Sequence, residues 1–279
     1  MTTTLRPTGP LQLADNGEKS RTYEVRVNSR PVGTIELATG PGSGHPSGIV
    51  RSLRIDESDR RRGRATVAAL AAEEVLRGWG CGQVQVSAPA DAVPALRLLE
   101  SLGYTERGRT MLKELPPGPP VLPADVEGRA MTEAEYADWG AQTFDRYVRS
   151  WTDHGMPPEE ARARVEAGHR DILPDGLATP GISISVLVHG GDAVGHLWVA
   201  PREVRPGGRV PYVYDVTVAE GRRGNGYGRA LMLLAERVAL EAGDTRLGLH
   251  VFADNIPAVR LYESLGYGTT FRDHVKQLL

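Results

Sequence analysis

The chain has 279 residues, of which 40% are hydrophobic and 24% charged, and its formal net charge is −2. This composition excludes disorder over the full length, and it supplies neither a basic excess for nucleic acid nor an apolar run of the ~18 residues that a membrane span needs. The single cysteine, Cys81, excludes an intramolecular disulfide and a thiolate zinc cluster; with an N-terminus that lacks an apolar signal region, it favours the cytoplasm.

The chain contains two copies of one sequence pattern. A shift of 163 residues aligns 49–115 with 212–278 without a gap. The five residues Glu-Ser-Leu-Gly-Tyr occur at 100–104 and again at 263–267. A gapless match of this length indicates a duplication.

Each copy is preceded by a predicted β-hairpin. In the first half, apolar runs at 23–27 and 32–37 flank turn residues. In the second half, the corresponding runs lie at 182–188 and 193–199. Apolar runs of this length around turn residues are typical of paired antiparallel strands.

A proline-rich segment separates the two copies. Five of the nine residues at 115–123 are proline, and such a segment can continue neither a helix nor a central strand. We therefore expect an N-terminal domain at 1–116, a linker at 117–123 and a C-terminal domain at 124–279.

The second half begins with two additional predicted helices, at 131–149 and 158–173. Thr132 and Glu135 form a capping-box pattern at the start of the first, and proline stands at the start of the second. Only some 20 residues precede the hairpin of the first half, which is too few for two helices. The first half is therefore expected to be a shortened copy.

A predicted strand, a glycine-rich turn and a predicted helix follow one another in the second half. The strand is 213–218, the turn is 220–228, and apolar residues then recur at helical spacing. Unpaired N–H groups and the positive dipole end make such a helix N-terminus an anion site, although a tight loop without a ligand fits the turn as well. The turn has no Gly-Lys-Ser/Thr for a Walker motif, and it fits the dinucleotide fingerprint poorly.

Two motifs in the second half resemble those of the GNAT acyltransferases. Arg223-Gly-Asn-Gly-Tyr-Gly228 matches the family's pyrophosphate motif, Gln/Arg-x-x-Gly-x-Gly/Ala. A later family pattern is matched by Asn255, Ala258, Tyr262, Gly266 and Tyr267. The resemblance covers 180–279 directly and 22–115 through the repeat. It implies an α/β (α+β) fold of two tandem GNAT domains, each a mixed, mostly antiparallel twisted sheet flanked by helices.

The resemblance also implies a cosubstrate, acetyl-CoA, and no metal. GNAT enzymes transfer the acetyl group directly to an amine, without an acyl-enzyme. Backbone groups of the strand before the turn would bind the pantetheine and the oxyanion. The residues implied in cosubstrate binding are Val216, Val218, Arg223, Gly224, Gly226, Gly228, Arg229 and Asn255.

Tyr262 stands at the family's general-acid position, although a tyrosine that merely packs a short helix would fit the spacing too. Three residues are candidates for the general base: Asp215, His250 and His196. Asp215 could instead be a carboxylate paired with an arginine. Either histidine could be structural, and His250 alternates with apolar neighbours and so faces away from them.

The first half lacks these reactive groups. Leu99, Ala92 and Ser87 stand where Tyr262, Asn255 and His250 stand in the second half. We expect this half to be catalytically silent. It still satisfies the pyrophosphate pattern, so Arg60, Gly63 and Ala65 could form a second CoA site.

The expected function is acetyl-CoA-dependent N-acetylation of a primary amine on a small molecule or peptide, at a site in the C-terminal half. The alternative is a sensor or regulatory module that binds acetyl-CoA without turnover. We expect no nucleic-acid or membrane partner, and a monomer, because the two halves can cover each other's strand edges.

Overall fold

The computed structural model describes residues 2–40, 45–153, 156–204 and 208–278. The chain forms two compact units. The first comprises Met1–Gly108, Gly155–Pro157 and Phe271–Leu279, and the second Arg109–His154 and Pro158–Thr270. Within the described ranges, no helix combines the length and the apolar character that crossing a bilayer requires.

The first half of the chain contains seven strands and two α-helices in its described part. They are β1 (Thr3–Pro7), β2 (Gln12–Leu13), β3 (Lys19–Val27), β4 (Arg30–Gly40), β5 (Ser47–Ile55), α1 (Arg64–Gly78), β6 (Gln83–Pro89), α2 (Val93–Ser101) and β7 (Thr105–Glu114). The predicted hairpin is confirmed as β3 and β4. The short strands β1 and β2 were not predicted, because β1 is a strongly polar edge strand.

The second half contains six strands and four α-helices in its described part. They are β8 (Val126–Ala130), α3 (Glu133–Asp153), α4 (Pro158–Ile172), β9 (Ser183–His189), β10 (Asp192–Val204), β11 (Gly208–Val218), α5 (Tyr227–Glu241), β12 (Arg246–Phe252), α6 (Ile256–Ser264) and β13 (Gly268–Gln277). Both predicted helices and the predicted hairpin are confirmed. The capping box is confirmed too: Glu135 N donates to Thr132 Oγ1 at 3.3 Å, and Thr132 N to Glu135 Oε2 at 2.9 Å.

The sheet of the first unit has the strand order β1–β3–β4–β5–β6–β13. Its pairs are antiparallel except β5 with β6, which are parallel. One hydrophobic core includes Ile35, Leu37, Ala72, Leu76 and Val84, all fully buried. The sheet therefore has a packed face towards α1.

The sheet of the second unit has the strand order β7–β12–β11–β10–β9–β8, with β11 and β12 parallel. Two clusters pack on it. Leu231, Ala235 and Leu249 belong to the cluster that contains α5, whereas Trp139 and Trp198 belong to the one that contains α3. Mixed, mostly antiparallel sheets flanked by helices confirm the predicted fold class.

The last strand of each repeat belongs largely to the unit formed by the other repeat. In the first unit, residues 271–277 of β13 pair antiparallel with β6. The second unit includes the residues of β7 from Arg109 onwards, and Leu115 N donates to Thr245 O there at 2.7 Å. The compact units consequently divide the chain differently from the predicted domains 1–116 and 124–279.

A buried ion pair holds the exchanged strand in the first unit. Lys276 Nζ on β13 lies 2.7 and 2.9 Å from the carboxylate oxygens of Glu73 on α1, which is 4% exposed. The same ammonium lies 5.5 Å from the ring centre of Tyr104. Burial, together with the charge and hydrogen bonding of Glu73, raises the pKa of Tyr104, so this tyrosine keeps its proton.

The second unit repeats this arrangement with the residues 163 positions away. Lys113 Nζ on β7 lies 2.6 Å from Glu236 Oε1 on α5, and 5.6 Å from the ring centre of Tyr267. Each lysine comes from the repeat other than that of its glutamate. The exchange of strands is therefore reciprocal.

The duplication extends to irregularities of the backbone. A β-bulge leaves Arg51 as the extra residue of β5 opposite β4, and Tyr214 as the extra residue of β11 opposite β10. These two positions are 163 apart. In both units the parallel register ends immediately before the bulge, and the last parallel pairs are Val50 with Val86 and Val213 with Leu249.

One glycine in each unit permits a close approach of strands. A Cβ at Gly33 would lie 2.1 Å from Arg54 O, and one at Gly195 would lie 2.6 Å from Thr217 O. No side chain fits at either distance. The matched glycines show that the two sheets share one backbone geometry beside the bulge.

Candidate active site

The parallel strands β11 and β12 separate where the site begins. In the described residues, their register comprises Tyr212 with Gly248 and Val213 with Leu249. Beyond the bulge at Tyr214, the remaining residues of β11 continue to pair with β10. A bulge bends and twists a strand, so it turns the end of β11 away from β12. The end of β11 therefore lines an opening between these two strands.

Side chains at the end of β11 alternate between two environments. Val216 and Val218 pack against the core cluster that contains α5. Asp215 and Thr217 point to the other face, where both contact Arg146 of α3. The strand thus presents backbone groups at its edge and a polar cluster on one face.

Asp215 is the centre of this polar cluster. It is 8% exposed, and Arg146 Nη2 lies 2.8 Å from its Oδ1. His196 Nε2, on the neighbouring strand β10, lies 2.9 Å from its Oδ2. Thr217 Oγ1 donates to Oδ1 at 3.3 Å and accepts from Arg146 Nη1 at 2.6 Å.

The cluster keeps Asp215 ionised. Burial by itself raises the pKa of this carboxyl group, but the contact with His196 and the charge of Arg146 outweigh burial and hold the pKa below its ordinary value. Asp215 is therefore a fixed negative charge that can orient His196. A carboxylate held by two donors is itself a weak proton acceptor.

Tyr262 lies on α6 and is half-buried against the core of the second unit. Its ring centre is 6.1 Å from that of Tyr267 in an edge-to-face arrangement. Burial raises the pKa of Tyr262 to about 12, and the charge of Asp215 contributes to the shift. The phenol is therefore protonated throughout the neutral range.

His250 lies apart from the contacts of Asp215. It is exposed on β12 between Leu249 and Val251, which are both buried, so the predicted alternation is confirmed. Its ring centre is 5.6 Å from that of Phe252. In the described part of the chain, the carboxylate contacts His196 and not His250.

The glycine-rich turn leads directly into α5. Gly226 is the N-cap with φ 82°, a left-handed conformation that glycine adopts without strain, and its position carries no side-chain cap. The first N–H groups of α5 are thus left for a ligand. Arg222 pairs with Asp192 at 2.7 Å, and Arg229 Nη2 donates to Ser264 Oγ at 2.6 Å.

Two other predicted binding residues have structural contacts. Asn255 is the N-cap of α6, and its Oδ1 accepts from Ala258 N at 3.3 Å. A Cβ at Gly228 would lie 3.3 Å from Leu261 Cδ2, so this position faces α6 as well as the turn. Their roles towards a cosubstrate remain predictions.

Comparisons with known proteins identify the family. The sequence profile of the acetyltransferase (GNAT) family matches residues 3–104 and 141–267. The chain belongs to the GNAT acetyltransferase family. It is an N-acetyltransferase with two GNAT regions in tandem, as the sequence predicted.

Relatives match one or both GNAT regions. The uncharacterised N-acetyltransferase YycN of Bacillus subtilis is 34% identical over 142 residues, which are 50% of this chain and 90% of YycN. A mycothiol acetyltransferase of Clavibacter michiganensis is 28% identical over 254 residues, which are 86% of this chain and 74% of that protein.

Solved GNAT structures share the fold. A GCN5-related N-acetyltransferase from Sphaerobacter thermophilus has a TM-score of 0.58 at 20% identity, over 92% of this chain and 80% of that one. A tandem GNAT protein from the clavulanic acid biosynthesis pathway has a TM-score of 0.52 at 18% identity, over 96% and 85%.

The polar cluster around Asp215 includes residues that the sequence did not predict. Arg146 and Thr217 hold Asp215, and Tyr147 OH donates to Tyr214 O at the bulge at 2.5 Å. Thr143, Arg146 and Tyr147 share one face of α3 at the spacing i, i+3, i+4. This row of polar residues along one face of a predicted helix was the sequence pattern that could have identified them.

The first GNAT unit has a similar turn with different chemistry. Gly63, with φ 71°, is the N-cap of α1. Beside it, Asp59 is 2% exposed and pairs with Arg64 and with Arg30. Arg60 Nε donates to Ile55 O at 2.9 Å. Arg60 and Arg64 of this turn therefore contact protein groups, whereas Arg61 and Arg62 are exposed.

Proposed function

We propose that the second unit transfers an acetyl group from acetyl-CoA to a primary amine of a small molecule or peptide. The observation that carries the proposal is the contact between His196 and Asp215 on adjacent strands, one of which leads into the glycine-rich turn. A base, its orienting carboxylate and a phosphate cradle are thereby positioned by β10, β11 and α5.

The opening fits the cosubstrate. The N-terminus of α5, with Gly226 as an uncapped N-cap and Arg223 exposed in the turn, suits a pyrophosphate. The edge of β11 at Val216 and Val218 offers backbone groups to an extended amide chain and to an oxyanion. Acetyl-CoA supplies the acetyl group as an activated thioester.

His196 is the residue best placed to take the proton of the amine. Its Nε2 lies 2.9 Å from Asp215 Oδ2, so Nδ1 is the nitrogen that we propose accepts the proton. Arg146 keeps Asp215 ionised, so the carboxylate can orient the imidazole. We therefore assign Asp215 an orienting role. We assign His250 no role in the proton transfer.

Tyr262 is the proposed general acid. The thiolate of CoA is the leaving group, and a free thiol has a pKa of about 8.5. The phenol of Tyr262 keeps its proton at neutral pH and can deliver it to the sulfur as the carbon–sulfur bond breaks.

The first unit lacks these groups. Leu99 stands at the position of Tyr262, and Thr34 and Ser52 lie at the sheet positions of His196 and Asp215. We therefore assign no turnover to the first unit.

Matched variants test these roles. His196→Ala should lower kcat/KM for an accepted amine by about a hundredfold or more, whereas His250→Ala should leave it within about twofold. Tyr262→Phe should lower kcat with the Kd for acetyl-CoA preserved. Equal losses from both histidine variants would contradict the assignment of the base. Acetyl-CoA binding without turnover on any amine would support a sensor instead.

One specific acceptor has an observation in its favour. The matches to mycothiol acetyltransferases extend over both GNAT regions, whereas YycN covers half of the chain. The unacetylated precursor of mycothiol is therefore the second candidate acceptor. Release of free CoA thiol upon mixing it with enzyme and acetyl-CoA would support it, and no release above background would exclude it.

A further inference from the structure

A groove of about 500 Å³ lies beside α3 and the end of α4 in the second unit. Its size is in the range of small-molecule sites, roughly 300–1,000 Å³. Its walls include Tyr136, Trp139, Gly140, Phe144, His169 and Arg170. The groove is therefore large enough for a ring-sized ligand.

The wall of the groove is aromatic and includes one residue, Trp139, that contacts the proposed base. Tyr136 and Trp139 are stacked with ring centres 5.5 Å apart. Trp139 also meets His196 edge to face, with ring centres 6.2 Å apart. Trp139 thus belongs both to the groove wall and to the contacts of the imidazole that is proposed to accept the amine proton.

The charge of the groove is positive. Arg170 lines it, and no carboxylate does within the part of the chain that the structure describes. Arg170 has no ion-pair partner among those residues, and Arg162 Cζ lies 5.3 Å from the ring centre of Phe144. His169 has a buried Nε2 without a hydrogen-bond partner, and burial lowers its pKa, so it contributes a neutral polar group.

We propose that this groove is the acceptor subsite, and that the acceptor is a primary amine on a flat apolar ring that carries an anionic group at its far end. The inference rests on the proposed function, because it assigns the substrate class of the same site. The aromatic wall suits the ring, and Arg170 suits the anion. A peptide rich in ammonium groups is disfavoured, because no carboxylate lines the described part of this wall.

Three amines of graded chemistry test the substrate class. They are the para-aminoethyl derivative of benzoic acid, phenethylamine, which lacks the carboxylate, and ethanolamine, which lacks the ring. The wild-type kcat/KM should fall in that order, by about tenfold at each step. Arg170→Gln should remove the preference for the carboxylate over phenethylamine. A flat response to all three amines would overturn the assignment.

Filling the groove tests its location. A Cβ at Gly140 meets no heavy atom within 4 Å, so Gly140→Leu places a side chain in the groove without a backbone clash. It should raise KM for the benzoic acid probe about tenfold and leave the Kd for acetyl-CoA unchanged. Gly168→Leu is the matched control on α4, because that position is also open but does not line the groove.

The outcomes separate this inference from the proposed function. If the chain acetylates the probes but Gly140→Leu has the same KM as wild type, the groove is not the acceptor subsite. If no amine is acetylated, calorimetric binding of the benzoic acid probe to wild type, lost in Gly140→Leu, still supports the groove. Absence of both turnover and binding overturns both proposals.

Discussion

At the scale of single residues, the chemistry of the site depends on how Asp215 is held. Three side chains, Arg146, His196 and Thr217, surround a carboxylate that is 8% exposed. His196 and Arg146 together keep the pKa of Asp215 low despite burial. The same charge acts on Tyr262 and raises the pKa of its phenol.

The ionisation of Tyr262 gives a testable pH dependence. In the proposed mechanism the protonated form of Tyr262 is the active one. Its pKa is raised to about 12, so loss of its proton should not lower kcat below about pH 10. An ordinary tyrosine would already be half ionised there. Tyrosinate absorbance, taken as the difference between wild type and Tyr262→Phe, measures this pKa.

Asp215→Asn provides the comparison. It removes the charge that disfavours the phenolate, so the pKa of Tyr262 should fall, although burial keeps it above the ordinary value. An unchanged Tyr262 pKa in this variant would contradict the electrostatic link between the two residues.

At the scale of elements, the sequence predicted most of what positions the site. The strand 213–218, the glycine turn and the helix after it are local features, with Gly226 at the point where the turn becomes α5. Arg146 was not predicted, because its partner Asp215 is 69 residues away and no local pattern joins them. The edge strand β8 was missed because its residues are mostly exposed.

The capping box of α3 gives a prediction at this scale. Thr132→Ala should destabilise the second unit by about 1 kcal/mol, because it removes the side-chain oxygen that accepts from Glu135 N. Thermal unfolding measures the loss. A change below experimental error would show that α3 begins equally well without the cap.

The same cap has a defined pH window. Hydrogen bonds from Arg129 and from Thr132 lower the pKa of Glu135 to about 2, from 4.5. A carboxyl group with a depressed folded pKa contributes stability that is present above the unfolded value and is lost as the pH falls towards the folded one. The contribution of Glu135 should therefore disappear between about pH 4.5 and pH 2. The difference in stability between wild type and Glu135→Gln, followed across this window, should shrink as the pH falls; a constant difference would contradict it.

At the scale of the whole molecule, the two repeats are joined by reciprocal strands. The sequence showed the duplication, down to the Glu-Ser-Leu-Gly-Tyr identity that precedes β7 and β13. It did not show the exchange, because each last strand would pair equally well, by its pattern alone, with either copy. The expectation of a monomer stays a prediction.

The lysine of the exchanged strand, which pairs with the buried Glu73, tests this organisation. Lys276→Met leaves Glu73 buried without its cation and should destabilise the first unit by about 3–5 kcal/mol. Hydrogen exchange should then show lost protection in β6 and α1, some 200 residues from the substitution in sequence. The double variant Glu73→Leu with Lys276→Met should recover most of the loss. Lost protection confined to the second unit would contradict the exchange.

We propose that one GNAT unit, the second, holds the working acetyl-CoA site. Calorimetric titration of the full chain with acetyl-CoA tests this proposal, with wild type, Gly228→Val and Ala65→Val compared. We expect one site, weakened about tenfold or more by Gly228→Val and unchanged by Ala65→Val; Gly228→Ala, which keeps the family pattern, controls for folding. Two sites, or one site that is lost in Ala65→Val and kept in Gly228→Val, would contradict the account.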